Sequence, residues 1–222
     1  QANGFEDLYA SGQGQVLAFP GSGHDYPLQP GQSVLIANDA ANHKDLAGDG
    51  NKCPDLSKAD WEVYLKYANG EVDYPAKNLD VIFVNNKNMK AFGLGFFGRA
   101  YVLARLPQGV TTEAFAADRN NIKTEPNNAA ATMEYLLIPS KYVLDAVDIW
   151  DAKAMVHYPT FLPKDDAEGV LASKAWEGKC VRRKVSKVVN GRPYYQDTNN
   201  SANDFLNNQE LTPGVIPTAA DK

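Results

Sequence analysis

The sequence predicts an all-β fold, a single β-sandwich with long loop insertions and short helices, and three observations predict it. Its apolar runs are of strand length, four to eight residues, with no sustained helical periodicity. Its 17 Gly and 13 Pro, with abundant Asn, cut the chain into short pieces. Asn190-Gly191 separates two strand-like runs, the strongest short-range hairpin signal. In chain order, Gln15 to Phe19 alternates as a strand and stops at Pro20-Gly21. Gln29-Pro30-Gly31-Gln32 is a turn, and Ser33 to Ala37 the strand after it. Asn78 to Val84, Arg99 to Leu106, Tyr135 to Ile138 and Val143 to Trp150 follow as strands. Lys179 to Val189 and Arg192 to Gln196 form the last pair. Ser57 reads as the N-cap of a helix running into Trp61 and Tyr64, with Asp60 as its capping partner, and Thr111 opens a second short helix. The patch from Glu125 to Ala131 is the one low-complexity stretch and reads as a loop.

Composition bounds the function. Hydrophobic residues at 44% and charged residues at 22% exclude wholesale disorder in a chain of 222 residues, and residues 1–222 read as one domain. A net charge of −5 is the wrong sign for a general nucleic-acid binder. The longest apolar runs, such as Val81 to Val84, are too short to cross a bilayer as a helix. The chain opens on Gln1 without a signal segment, so we expect it to be part of a longer precursor. Cys53 and Cys180 match no metal or redox spacing. They pair in an oxidising compartment, or each is a small buried residue.

No motif defines a catalytic centre. Gly93-Leu94-Gly95-Phe96-Phe97-Gly98 matches the dinucleotide pattern, but the polar turn before it and the missing βαβ context make it a Gly-rich hairpin. Ser22, His24 and Asp25 lie too close together to form a nucleophile–base–orienter line. His43 and His157 have no helical His partner for zinc. Asp45 to Asn51 has the Gly of a calcium loop but not its ligands. Asp197, Asn199, Ser201 and Asp204 place oxygens at better spacing, a weak calcium candidate that reads first as a turn held by side-chain bonds to backbone. The basic run from Lys174 to Arg192 suits anionic ligands or lipid head groups, and more simply a charged edge strand. Trp61, Tyr64, Tyr67 and Tyr158 are the ligand or partner candidates among the aromatics. No cofactor is expected.

Phe19-Pro20 followed by Leu28 to Ala37, Tyr142 to Val147, and Arg182-Arg183 with Asp197 to Phe205 and Thr212-Pro213-Gly214 together resemble the lamin-tail-like domain of secreted bacterial proteins. The run from Gly23 through Asn42-His43 to Trp61 is similar to an uncharacterised surface-lipoprotein family of Bacteroides-type bacteria. The resemblance spans nearly the whole chain, and within it segments 38–78 and 107–134 read as loop insertions. It implies an immunoglobulin-like sandwich, export to the extracellular face of the outer membrane, and anchoring through a lipid on an N-terminal Cys missing here. It also implies partnership with a TonB-dependent transporter and its companion surface lipoproteins. The opening strand of a lamin-tail domain is absent before Gly4, which again points to a missing upstream part. The family supplies no catalytic residues, so the expectation is a non-enzymatic accessory subunit for nutrient uptake. The alternatives are a free-standing glycan- or peptide-binding module and a hydrolase with an unrecognised site. The fold reading is checked by far-UV circular dichroism: a spectrum with less than about a quarter helix is expected, and a helix-dominated one overturns it.

Overall fold

The computed structural model describes residues 8–10, 15–46, 52–92, 98–126, 128–172 and 177–222. Its strands are β1 (Leu8–Ala10), β2 (Gln15–Ala18), β3 (Ile36–Ala37), β4 (Trp61–Glu62), β5 (Lys77–Asn78), β6 (Asp80–Val84), β7 (Arg99–Ala104) and β8 (Ile122–Thr124). They continue with β9 (Glu134–Pro139), β10 (Val143–Trp150), β11 (Val170–Leu171), β12 (Lys179–Arg183), β13 (Val185–Val189), β14 (Arg192–Tyr195) and β15 (Phe205–Glu210). The helices are short: α1 (His43–Leu46), α2 (Thr112–Ala117) and α3 (Ser201–Asp204). The fold is therefore all-β, built from small open sheets in the orders β1-β9-β8, β11-β10-β7, β12-β15, β13-β14, β2-β6 and β3-β4-β5.

The β2–β6 ribbon divides the interior. Its strands are antiparallel, with Gln15 opposite Val84 and Ala18 opposite Asp80. Val16 stands opposite Phe83 and Leu17 opposite Val81, so Ile82 is an extra residue that breaks the strict alternation of the strand. Leu17 and Val81 pack against Trp61, Val63, Leu65, Ala68 and Leu79. Val16, Ile82 and Phe83 pack against Phe115, Ala116, Ile122 and Leu136, contributed by α2, β8 and β9. A third cluster gathers Tyr9, Ala146 and Phe161 with Ala100 and Val102 of β7. The N-cap of α2 is Thr111, whose side chain accepts from the Ala114 N–H, as its sequence position predicts.

Long connections need partners for their backbone donors, and buried carboxylates supply them. Glu62, 1% exposed, accepts from the Ala40 N–H at 3.0 Å and the Tyr74 N–H at 2.8 Å. Asp166, 2% exposed, accepts from the N–H groups of Ser201 and Asp148 and from the Ser201 hydroxyl at 2.6–2.8 Å. Asp148 accepts from the Thr160 N–H. Asp204 accepts from the Thr198 N–H and hydroxyl and from the Asn200 N–H. Half-buried Asp221 likewise accepts from the Val185 N–H and forms a two-bond pair with Arg182.

Several sequence expectations are corrected. Residues 57–64 are not helical: Asp55 captures the N–H and hydroxyl of Ser57, and Trp61–Glu62 runs as a strand parallel to β3. Tertiary pairing overrides the local capping signal there, because the Trp61 and Val63 N–H groups bond Leu35 and Ala37 carbonyls. Segment 38–78 is no mere insertion, since it supplies most of the first buried cluster. Segment 107–134 likewise carries buried Phe115, Ala116 and Ile122. The strand expected over 33–37 shrinks to two residues. The run 179–189 breaks at Lys184, whose N–H bonds the Asp204 carbonyl, into strands of two different sheets. The hairpin forms as read, with Asn190 and Gly191 both in the left-handed region at φ 51° and 76°, which a two-residue type I′ turn requires. Cys53 and Cys180 are thiols with no disulfide between them, both half-buried.

These carboxylates set the acid limb of stability. At Asp204 burial opposes ionisation, but the bonds from Thr198 and Asn200 together outweigh it and hold the carboxyl below its ordinary range. At Asp221 the hydrogen bond from Arg182 is the main cause of the same shift. Their contributions are present above the ordinary carboxylate range and are lost as pH falls through the lowered folded values. Glu62 runs oppositely: burial raises it, so its contribution is present at low pH and lost as pH rises through the folded value. Thermal melts against pH should therefore show a loss of stability on acidification that is shallower in Asp221→Asn. Asp204→Ala should lower stability by roughly 1–3 kcal/mol by leaving buried donors unpaired, read from urea midpoints at neutral pH.

Candidate functional site: a cleft floored by Trp150 and His157

Strand β10 ends at Trp150, and β11 returns parallel to it with Leu171 opposite Trp150. Between them the chain makes an excursion over residues 151–169. The Asp151 carboxylate accepts from the Lys153 N–H, and the Asp151 carbonyl bonds the His157 Nε2 at 2.8 Å. This tight loop brings the imidazole back onto the indole of Trp150, with ring centroids 5.0 Å apart and planes 3° from parallel. Gly169 closes on the same indole: a Cβ there would lie 2.5 Å from Trp150 Nε1 and Cε2. The indole is thus covered by one ring and one stretch of bare backbone. Its Nε1 is buried without a hydrogen-bond partner among the described residues. The tip of the loop has the opposite character, with Met155 100%, Val156 60% and Tyr158 79% exposed.

Beside the stacked rings lies an open cleft of about 560 Å³. Val170 and Leu171 of β11 form one wall, and Phe205 and Leu206 of β15 form the other. Glu168, Lys184 and Asn207 add polar groups at its margin. The cleft falls within the size range of ligand sites and mixes apolar walls with a few polar groups, as such sites do. A second hollow of about 380 Å³, lined by Ser33, Leu35, Asp55, Lys58 and Asp60, has carboxylates already bonded to Ser57 and to the Leu35 N–H.

The residues singled out in the sequence do not converge. Trp61 is 3% exposed in the first buried cluster, edge-on to Phe19 and Tyr26, and Lys77 stands over its ring. Tyr67 packs on the same cluster and donates to the Met89 carbonyl while accepting from Gln15. Tyr64 is half-buried. Tyr158 belongs to the exposed loop beside the cleft. Asp204 and Ser201 face inward, to Thr198 and Asp166, whereas Asp197 meets Arg183 and the Asn199 amide donates to the Lys164 carbonyl. No group of three or more His, Cys, Asp or Glu able to hold a metal occurs among the described residues. Asp25 accepts from both the N–H and the hydroxyl of Ser22 in an exposed turn. Residues 93–97 of the Gly-rich motif and 47–51 of the first calcium-like loop lie outside the described residues. So does Lys174, but the rest of the basic run is engaged. Lys179 pairs with Glu210, Arg182 with Asp221, and Arg183 with Asp145. Lys184 reaches the Asn203 carbonyl, and Lys187 and Arg192 lie over Tyr194. What sequence reading missed is Trp150, His157 and Gly169. Their one local signal is a Trp ending a strand before a loop that returns through a His and an apolar pair.

The fold and the cleft define a loop-rich all-β protein with an aromatic-floored hollow where two small sheets meet. The chain belongs to DUF4876, described as a family of proteins of unknown function, whose profile matches residues 29–212. It is similar to a crystal structure, at 2.50 Å resolution, of a DUF4876 family protein from Bacteroides thetaiotaomicron VPI-5482, with a TM-score of 0.78 and 28% sequence identity. The match covers 96% of this chain and 59% of that one, so this chain spans about three-fifths of that protein's length. No curated protein matches it.

The packing of the floor is open to test. Gly169→Ala should push the indole off its seat and lower stability by roughly 1–3 kcal/mol, as overpacking does. A red shift in tryptophan emission should accompany the loss, and an unchanged spectrum and melt would refute the close contact.

Proposed function

We propose that this protein is a non-enzymatic lipoprotein on the extracellular face of the outer membrane. In this reading it serves a TonB-dependent transporter and its companion lipoproteins as an accessory subunit for nutrient uptake. The observation that carries the reading is the apolar tip Met155, Val156 and Tyr158, held out in water on a loop whose base is fixed by the Trp150–His157 stack. Exposed apolar side chains on an anchored loop suit a protein contact, because burying them gains free energy and the anchored base lowers the ordering penalty. The relative from Bacteroides thetaiotaomicron supports the Bacteroides-type family resemblance from which the proposed location comes. We assign the fold to the immunoglobulin-like, lamin-tail-like sandwiches. The β2–β6 ribbon facing β8 and β9 across one buried cluster supports that assignment. The cleft favours a second reading, a free-standing peptide- or glycan-binding module.

The test is co-purification of the full-length, lipidated protein from detergent-solubilised membranes of its host. A β-barrel transporter should stay bound through washing, and the double variant Met155→Asp/Tyr158→Ser should release it without a change in melting temperature. A wild-type protein that elutes alone would refute the subunit reading.

A further inference from the structure

We infer that the β13–β14 hairpin lies on a lipid surface, with its cationic and aromatic face against phosphate-bearing headgroups. The inference rests on the proposed function only for placing a membrane beside the protein. Three observations lead to it.

The hairpin keeps one face in water. Among the described residues β13 and β14 pair only with each other. The base is held, since Val185 is 1% exposed and its N–H bonds Asp221. Pro193 is buried and Val188, opposite it, is half-buried. The alternate positions are all exposed: Lys187 stands opposite Tyr194, and Val189 opposite Arg192. Opposed residues share a face, so these four form one outward strip ending at the Asn190-Gly191 turn.

The two cations of this strip keep their charge. From Lys179 to Gln196 the chain has six Lys and Arg and no Asp or Glu, in a protein of net charge −5. Lys179, Arg182 and Arg183 are neutralised by Glu210, Asp221 and Asp145. Lys187 and Arg192 meet no carboxylate among the described residues. They lie 5.0 and 5.1 Å from the Tyr194 ring centroid, an attraction that leaves them charged. An acidic body with one cationic hairpin turns that hairpin toward an anionic surface.

The strip has an interfacial composition. The stems of Lys187 and Arg192 lie along the Tyr194 ring, beside Val189 at 43% exposure, and carry their charged ends past it. Long cationic side chains and Tyr take this arrangement where hydrocarbon meets headgroups. Arg192 is also braced: a Cβ on Gly31, at φ 88°, would lie 3.3 Å from its Cγ, so its stem rests on the Gln29–Gln32 turn. Leu28, 54% exposed, precedes that turn. A sugar ring would compete with both cations for Tyr194, and Pro193, lacking an N–H, blunts β14 as an edge for an added strand.

The experiment is co-sedimentation of the protein, expressed without a lipid anchor, with vesicles of equal parts phosphatidylcholine and phosphatidylglycerol. The wild type should pellet at about 20 mM salt and be released at about 500 mM, where charges are screened within a few ångströms. Lys187→Gln/Arg192→Gln should weaken binding about thirtyfold, and Val189→Ser, at constant charge, several-fold. Both variants should keep the wild-type melting temperature. The inference is overturned by a wild type that stays in the supernatant at low salt, by equal binding to vesicles of phosphatidylcholine alone, or by a double variant that pellets like the wild type. Release by millimolar inorganic phosphate at constant ionic strength would overturn it in favour of a discrete anion site. Tighter binding to poly-glutamate than to vesicles would overturn it in favour of an acidic protein partner. Vesicle binding without a co-purifying barrel would sink only the subunit reading, and a retained barrel without vesicle binding would sink only this one.

Discussion

The structure depends on carboxylates turned inward to hold backbone. In a chain with strands of two to eight residues, ladders cannot satisfy the donors of the long connections, and an unpaired buried N–H is expensive. Glu62, Asp148, Asp166, Asp204 and Asp221 each take one or more of these donors. Glu62 links residues 40 and 74, and Asp166 links β10 to α3, which no ladder joins. An acidic balance is therefore partly an architectural requirement, and it tells less about the partner than the net charge suggests.

The same arrangement explains what the sequence made legible. Val143 to Trp150 is read to the residue because an eight-residue run of apolar and acidic residues pairs antiparallel with β7 along most of its length, with one irregularity between Val143 and Asp145. The Asn190-Gly191 turn is read because two left-handed residues admit few other sequences. Trp61 and Glu62 mislead because their conformation is imposed by β3 and β5, distant in sequence and parallel. A local capping pattern at Ser57 carries no information about such partners. The buried Glu62 is illegible for the same reason, since its two donors come from segments on either side of it in the chain.

The cleft was the least legible part. Its floor joins Trp150 to His157 and to Gly169, and its far wall comes from residues 205–207. None of these is unusual alone. The seam arises because Lys184 hands its N–H to the Asp204 carbonyl, which ends β12 and starts β13 in a separate sheet. Strand β15 then follows β12 and meets β11 edge to edge with no bonds between them. A site made by a failure of two sheets to merge has no motif, only a topology.

The two-faced ribbon of β2 and β6 bears on how the chain folds. Its strands are far apart in sequence, with Gln15 opposite Val84, yet its faces belong to two different buried clusters. Neither cluster is complete until this long loop has closed, so both wait on one entropically demanding event. The irregularity between Val16 and Leu17 interrupts regular pairing within the ribbon, marking one register among its neighbours. Closure of this one pairing therefore completes both halves of the interior at once.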